Sequence, residues 1–181
     1  MLAYVLVLLG LGSRYFVASH VAWLNFTAVG GSLLYFGARR SWREMFIPLG
    51  ALLASDYCLT TFHYGYPFRW QDYVTTWAWY AMAMALGWIL LHAKITFFRG
   101  AAAAILGPTS FFVVSNYGVW ASGFNGYPHT LSGLAACYVA GIPFYRNDVI
   151  SAAIVLAGAF GVEALLRKVR EPNASVEAGA A

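Results

Sequence analysis

Long apolar stretches, broken only by short groups of charged or turn-forming residues, run through almost all of this 181-residue chain. Hydrophobic residues make up 61% of the sequence and charged residues only 10%. A typical soluble domain carries about 25% charged residues, so this chain cannot cover a water-facing surface. The composition excludes a soluble enzyme and a disordered chain, and it argues against a nucleic-acid binder. The sequence therefore predicts an all-α polytopic membrane protein.

Charges, polar breaks and Gly/Pro clusters divide the chain into six predicted membrane spans. They cover residues 2–17, 26–38, 45–63, 73–92, 101–121 and 149–166. A further apolar stretch at 131–142 ends at Pro143 and is too short for a hydrocarbon core of about 30 Å, so it predicts a short interfacial or re-entrant helix. Residues 1–170 form one predicted transmembrane domain, and the low-complexity segment 171–181 is predicted to be a flexible tail.

The distribution of Lys and Arg predicts the orientation of the spans. With the N-terminus in the cytoplasm, eight of the eleven basic residues fall on the cytoplasmic side: Arg39, Arg40, Arg43, Lys94, Arg99, Arg167, Lys168 and Arg170. Cytoplasmic loops are enriched in such residues, so both termini are predicted to be cytoplasmic. The first apolar run has no basic residue before it and no small-residue cleavage site, which favours a retained span over a signal peptide.

The connections on the predicted outer side are long and aromatic, at residues 63–73 and 116–146. Connections that only join helices can be short, so these loops indicate the rim of a binding site that faces outward. The two halves of the chain show no internal repeat, which argues against a transporter built from inverted repeats.

Asp56 is the residue whose position costs the most free energy, because it lies inside the third predicted span. A carboxylate at mid-bilayer depth costs about 2.5–3.5 kcal/mol on the lenient insertion scale. Asp56, Thr60 and His63 have the spacing of one helical face and predict a polar stripe towards the outer side. Ligand binding and structural pairing are equally good interpretations of Asp56. Arg146 and Arg69 are its preferred ionic partners, and Arg14 is a third candidate.

Further candidate ligand-binding residues cluster around the end of the fifth span. Asn116 carries an amide that is costly to bury without a partner, and Trp120, Tyr127 and His129 follow it closely. These aromatic residues predict a ligand cage, although an interfacial aromatic belt is the alternative interpretation. Arg146 suits an anionic or amide-rich ligand, but an interfacial anchor that pairs with lipid or with Asp148 is slightly favoured.

The histidines and cysteines do not predict a dedicated metal site. His20, His63 and His129 fall on the outer side without helical ligand spacing or a nearby carboxylate, and the cysteines do not form a C-x-x-C motif. Either His20, His63 or Cys58 could still serve as axial ligand to a metal inside a bound cofactor. For Cys58, the role of a small buried hydrophobic residue is the more favoured interpretation.

Three segments carry a resemblance to a known family: residues 115–120 (SNYGVW), 127–134 (YPHTLSGL) and 137–144 (CYVAGIPF). Together with residues 25–27 and 48–56 they resemble a bacterial membrane family of unknown function. That family is similar to the S components of energy-coupling factor (ECF) vitamin transporters. The resemblance implies an S-component-like fold in the bacterial inner membrane, a vitamin-sized ligand bound from outside, and an ECF coupling subunit with ATPases as partners. A stand-alone cobalamin importer of similar fold ligates cobalt through a cysteine, and Cys58 is the conceivable counterpart.

The combined expectation is a substrate-binding membrane subunit for micronutrient uptake, with a corrinoid such as cobalamin as the preferred ligand. The alternative is a non-transporting accessory subunit of a larger membrane complex. A third hypothesis, a membrane enzyme that modifies a bound cofactor, is supported only by Cys58 and the outer histidines. The sequence contains no G-x-S-x-G, Walker or H-E-x-x-H motif and no paired carboxylates, so it predicts no catalytic activity and no nucleic-acid partner.

Overall fold

The computed structural model describes residues 1–20 and 26–178, and within them it contains helices and turns but no β-strand. The predicted all-α class is therefore confirmed. Six α-helices follow one another in these two ranges: α1 (Leu2–Ser19), α2 (Val29–Arg39), α3 (Phe46–Cys58), α4 (Val74–Leu91), α5 (Phe97–Ala121) and α6 (Leu131–Ala178). Shorter 3₁₀ turns lie at Trp42–Met45, Trp70–Tyr73 and Phe124–Gly126, and a π-helical turn at Leu59–His63 extends α3.

In the described part of the chain, five helical segments are long and apolar enough to cross a membrane: Leu2–Ser19, Trp42–His63, Trp70–Leu91, Phe97–Ala121 and Leu131–Val169. These lengths and this composition indicate a membrane protein. The second predicted span differs, because α2 has 11 residues and is about 16 Å long, roughly half the thickness of a hydrocarbon core. Nine of its residues, Val29 to Ala38 except Gly30, are buried, so α2 is a central half-helix enclosed by the long ones.

The short separate helix predicted at 131–142 is not present. Residues 131–178 form one continuous helix of 48 residues, about 72 Å long, and Pro143 lies within it. The prediction applied the rule that proline ends a helix, but a helix in apolar surroundings must satisfy its backbone internally and tolerates proline. The last described part of the predicted tail, 171–178, belongs to this helix, and 179–181 lie outside the described residues.

The two ends of the bundle differ in composition. One end carries the α2–α3 and α4–α5 connections, and we call it the basic end because of Arg39, Arg40, Arg43, Lys94 and Arg99. The other end carries the α3–α4 connection (64–73) and the α5–α6 connection (122–130), and we call it the aromatic end because of Tyr64, Tyr66, Phe68, Trp70 and Tyr127. The polar groups described below lie on the aromatic-end side of α2.

Two glycines allow α2 and α4 to touch backbone to backbone at the centre of the bundle. A Cβ atom on Gly37 would lie 1.9 Å from the Met84 carbonyl oxygen, and one on Gly87 would lie 2.0 Å from the Leu34 carbonyl oxygen. Neither backbone can yield, so both positions require glycine. Gly87 therefore serves close packing inside the chain, of the kind that small residues allow between membrane helices.

Ion pairs join the helices at the basic end. Arg40 donates hydrogen bonds to Glu44 and to the Tyr4 hydroxyl, and Tyr4 also bonds Glu44. The hydrogen bonds that Arg40 donates, first to Glu44 and then to Tyr4, raise the pKa of Arg40 above its usual range. Arg39 contacts Glu163 with an Nε–Oε2 distance of 2.9 Å. These contacts tie α1, α2 and α6 together at the end opposite the cavity.

Candidate ligand-binding cavities

A cavity of about 220 Å³ lies where α2 begins, between the helices on the aromatic-end side. All six helices or their connections reach it, and its lining mixes charged, hydroxyl and aromatic side chains. The lining residues are Arg14, Thr27, Val29, Gly30, Asp56, Tyr73, Thr76, Trp79, Tyr80, Pro108, Phe111, Asp148 and Ser151. We call this space the central cavity. A polar cavity inside an apolar bundle needs a reason, because its groups cost free energy at that depth.

Asp56 and Arg14 form a buried ion pair at the wall of the central cavity. The Arg14 guanidinium donates to Asp56 Oδ1, and the indole Nε1 of Trp77 donates to Asp56 Oδ2 at 2.8 Å. Only 1% of the Asp56 side chain and 16% of the Arg14 side chain are exposed. Both carboxylate oxygens are thus bonded within the protein, and this geometry supports the structural interpretation of Asp56.

The predicted order of preference among the ionic partners of Asp56 was wrong. Arg14, the third candidate, makes the ion pair, whereas Arg69 lies 4.0 Å from Asp72 in an exposed loop and Arg146 is exposed on α6. The pairing depends on α1 lying against α3, which brings together residues 42 positions apart. Neither residue spacing nor hydrophobic pattern carries that information.

The predicted polar stripe on α3 is only partly present. Thr60 is buried and donates a hydrogen bond to the Asp56 carbonyl oxygen at 2.7 Å, and its hydroxyl also contacts the Tyr73 hydroxyl. His63 is exposed. The reason is the π-helical turn, in which the Tyr64 N–H bonds the Leu59 carbonyl five residues earlier. This turn shifts the helical register, so the i, i+4, i+7 rule no longer applies.

The N-terminus of α2 borders the central cavity without a side-chain cap. Its N-cap residue is Ala28, which makes no side-chain capping bond, and the following Val29 and Gly30 line the cavity. The first N–H groups of a helix carry a partial positive charge and prefer an acceptor or anion. A ligand with an acceptor group would meet this preference.

Trp79 forms an aromatic wall of the same cavity and is held rigidly. Its Nε1 donates to the Gly107 carbonyl oxygen and to Ser110 Oγ, both at 3.2 Å, and its ring lies 4.6 Å from that of Phe111. Pro108, next to Gly107, is buried inside α5 and also lines the cavity. The wall is therefore built before any ligand binds.

A second cavity of about 210 Å³ lies between α5 and α6 and shares Phe111 and Asp148 with the central one. We call it the lateral cavity; its other lining residues are Phe112, Ser115, Asn116, Gly141, Phe144 and Tyr145. Asn116 donates from Nδ2 to the Phe112 carbonyl oxygen at 2.8 Å. A Cβ atom on Gly141 would lie 2.6 Å from Asn116 Oδ1, so a larger residue at position 141 would clash with the Asn116 amide.

The other residues of the predicted cage lie at the α5–α6 connection rather than in either cavity. Trp120 donates from Nε1 to the Pro128 carbonyl oxygen at 2.9 Å, and its ring lies 5.5 Å from the ring of His129, which is exposed. Tyr127 is half-buried nearby. The backbone turns between α5 and α6 with left-handed conformations at Gly123, Asn125 and Gly126. Asn116 lines the lateral cavity, whereas Trp120, Tyr127 and His129 do not.

The remaining predicted site residues are dispersed. His20 is exposed at the end of α1, where its Nδ1 lies 2.9 Å from the Phe16 carbonyl oxygen. Cys58 is half-buried with a free thiol and lines neither cavity. Within residues 1–20 and 26–178, no three His, Cys, Asp or Glu side chains group as metal ligands would.

Sequence reasoning missed Asp148 as a site residue. It assigned Asp148 to the outer start of a sixth span, as a partner for Arg146. In the structure Asp148 lies within the long α6, half-buried, and lines both cavities. One feature of the sequence could have indicated its role. Asp148 and Ser151 are spaced i, i+3 and share one face of a helix, whereas Arg146 lies on a different face.

This fold and these cavities define a helical membrane protein with a polar, aromatic-walled space in its bundle. The chain belongs to a family of unknown function, DUF6580, whose model matches residues 1–174. No curated protein and no solved structure matches the chain.

Proposed function

We propose that this chain is the substrate-binding membrane subunit of an importer for a small polar micronutrient. The observation that carries the proposal is the central cavity, with Arg14, Asp56 and Asp148 in its lining. Ionisable side chains within membrane-spanning helices are expensive and in most cases functional. A subunit that only made contacts with the surrounding lipid would not need a preformed cavity at this depth.

The proposed orientation places the basic end in the cytoplasm of a bacterial cell and the aromatic end outside. Lys and Arg concentrate on the basic end, as cytoplasmic loops do. The six crossings of the prediction then become five long helices and the half-helix α2, which returns the chain from the central cavity to the basic end. A ligand would enter from the aromatic end.

The cavity volumes favour a small ligand. Binding sites for drug-sized ligands measure roughly 300–1,000 Å³, whereas the two cavities measure about 220 and 210 Å³ and adjoin each other. A compact micronutrient suits this space better than a corrinoid, whose macrocycle exceeds drug-sized ligands. ECF coupling and ATPase subunits are the proposed energy source, because the sequence carries no nucleotide-binding motif of its own.

Native mass spectrometry of the detergent-purified protein tests the proposal. We expect a retained small molecule, lost when Ser151→Leu fills the central cavity from α6. Ala153→Leu is the matched control, since Ala153 lies two residues further along the same helix and is exposed. The proposal fails if no molecule is retained and none of a vitamin panel that includes cobalamin binds, or if both variants lose it equally.

An accessory subunit of a larger complex is the second candidate, favoured by one observation. Ala153, Ala157 and Gly161 are all exposed on α6, at a spacing that lets another helix approach closely. This candidate predicts that the native complex contains further membrane proteins in fixed ratio and that no small molecule is bound. The mass measured in the same experiment distinguishes the two.

A further inference from the structure

The buried ion pair at the wall of the central cavity leaves hydrogen-bond donors unused. A guanidinium carries several N–H donors in a fixed fork and accepts none. Within the described part of the chain, Arg14 donates two hydrogen bonds, one to Asp56 Oδ1 and a long one of 3.5 Å to the Leu52 carbonyl oxygen. Its side chain lines the cavity and is 16% exposed, so the remaining N–H groups are open to a ligand.

Two threonine hydroxyls in the same lining are also unused. Thr27 lies just before α2, Thr76 lies in the first turn of α4, and both are half-buried in the cavity wall. Among the described residues neither hydroxyl has a hydrogen-bond partner, whereas the Ser151 hydroxyl donates to the Asp148 carbonyl oxygen at 3.1 Å. Both threonine hydroxyls can therefore donate to a molecule in the cavity.

The charged groups of the lining are already paired. Asp56 accepts from Arg14 through Oδ1 and from the Trp77 indole through Oδ2, and Asp148 has an interaction partner of its own. Among the described lining residues Arg14 is the only cation, and Asp56 neutralises it. A charged ligand would therefore enter without a counter-charge, which is costly in low-dielectric surroundings.

The apolar part of the cavity wall is aromatic. The rings of Trp79 and Phe111 lie 4.6 Å apart, and the indole N–H of Trp79 is bonded to Gly107 and Ser110. The indole therefore offers a ligand only the apolar surface of its ring. Flat rings pack well against such a surface.

We infer that the ligand of the central cavity is a flat, uncharged molecule with a carbonyl oxygen that accepts hydrogen bonds from Arg14, Thr27 and Thr76. The inference rests on the proposed binding function and specifies its substrate class. A carbonyl oxygen has two lone pairs and can accept from more than one of these donors. Because the ligand is neutral, the ion pair between Arg14 and Asp56 remains intact when it binds.

Three probes of nearly the same shape test the charge preference: neutral benzamide, anionic benzoate and cationic benzylammonium. Their binding to the full-length protein is measured by equilibrium dialysis at neutral pH, with the same detergent on both sides of the membrane. We expect benzamide to bind roughly 10- to 100-fold more tightly than either ion, the range for leaving a buried charged group without its partner.

A pair of threonine variants tests the donors. Thr76→Val keeps the shape of the side chain and removes its hydroxyl, so benzamide should bind roughly 2- to 10-fold more weakly, as expected for one hydrogen bond between neutral groups. Thr75→Val is the matched control, because Thr75 is the neighbouring residue on α4, is also half-buried and lines neither cavity. It should leave the affinity for benzamide unchanged.

Each outcome supports or overturns the inference. If benzoate or benzylammonium binds as tightly as benzamide, the inference is overturned while the binding function stands, and this comparison needs only the native protein. If the two threonine variants bind benzamide equally well, the assigned donors are wrong and the inference is overturned. If none of the three probes binds, the molecule retained in native mass spectrometry, or the vitamin that binds, decides: an uncharged carbonyl compound supports the inference and an ion overturns it. If nothing is retained and no vitamin binds, the proposed function itself fails.

Discussion

Replacing one partner of the Arg14–Asp56 ion pair should destabilise the protein far more than replacing both. Asp56→Leu leaves the guanidinium, 16% exposed, without its carboxylate in the bundle interior. Breaking a buried pair in this way costs about 3–5 kcal/mol of unfolding free energy. The indole of Trp77 also loses its acceptor, which was 2.8 Å away, and this adds about 1–3 kcal/mol.

The double variant Arg14→Met/Asp56→Leu should recover most of this loss. Exchange of a whole buried ion pair for apolar residues of similar volume is often neutral or stabilising. Only the cost of the unpaired Trp77 indole remains, so we expect the unfolding free energy of the double variant to be about 1–3 kcal/mol lower than that of the native protein. The coupling energy between the two positions is then several kcal/mol.

Equilibrium unfolding by SDS in mixed micelles, followed by tryptophan fluorescence, measures these free energies. Retention of the small molecule by the double variant reports separately on ligand binding. If the two single losses simply add in the double variant, to within about 0.5 kcal/mol, the ion pair does not stabilise the bundle as argued. If the double variant unfolds like the native protein but loses the ligand, Asp56 or Arg14 also binds it.

Two further predictions concern the helix crossing and the orientation. Gly87→Ala should destabilise the protein by about 1–3 kcal/mol or prevent folding, because its Cβ would lie 2.0 Å from the Leu34 carbonyl oxygen. The control is Gly158→Ala, whose Cβ would meet no atom within 4 Å, and it should be neutral or stabilising by up to about 1 kcal/mol. Thermal unfolding of both variants measures the difference. Equal stability of the two variants would contradict the close α2–α4 approach. In a background without the native cysteines, a membrane-impermeant maleimide added to intact cells should label Tyr66→Cys and spare Lys94→Cys; the reverse pattern would refute a cytoplasmic basic end.

The sequence was a good guide wherever one helix could be judged alone. Apolar runs bounded by charges predicted α1, α3, α4 and α5 with ends within a few residues of those observed. It misjudged α2 and α6, since a half-helix buried by its neighbours and a full span have similar composition. The role of Pro143 also depended on surroundings that a local rule does not include.

The candidate site was less predictable because it depends on contacts between distant segments. Asp56 was correctly singled out as costly, yet its partner among three arginines followed only from the packing of α1 on α3. Asn116 was expected in one cage with Trp120 and His129, but the packing of α6 on α5 places it against Gly141 in the lateral cavity, which Trp120 and His129 do not line. Asp148 was considered only as a partner for Arg146 at the outer start of a sixth span, because the continuity of α6 was not visible in the sequence.

Composition and the length of the apolar runs together determined that this chain is helical and suited to a membrane, since 61% of its residues are hydrophobic and a long apolar run satisfies its own backbone in a membrane as a helix. The pattern of Lys and Arg likewise predicted which ends of the helices share a side. Tertiary structure alone decided that Arg14 neutralises Asp56 and which side chains line a cavity. That division has a physical cause: transfer of a helix into an apolar phase depends on its own residues, whereas the charge of a cavity depends on which helices pack around it.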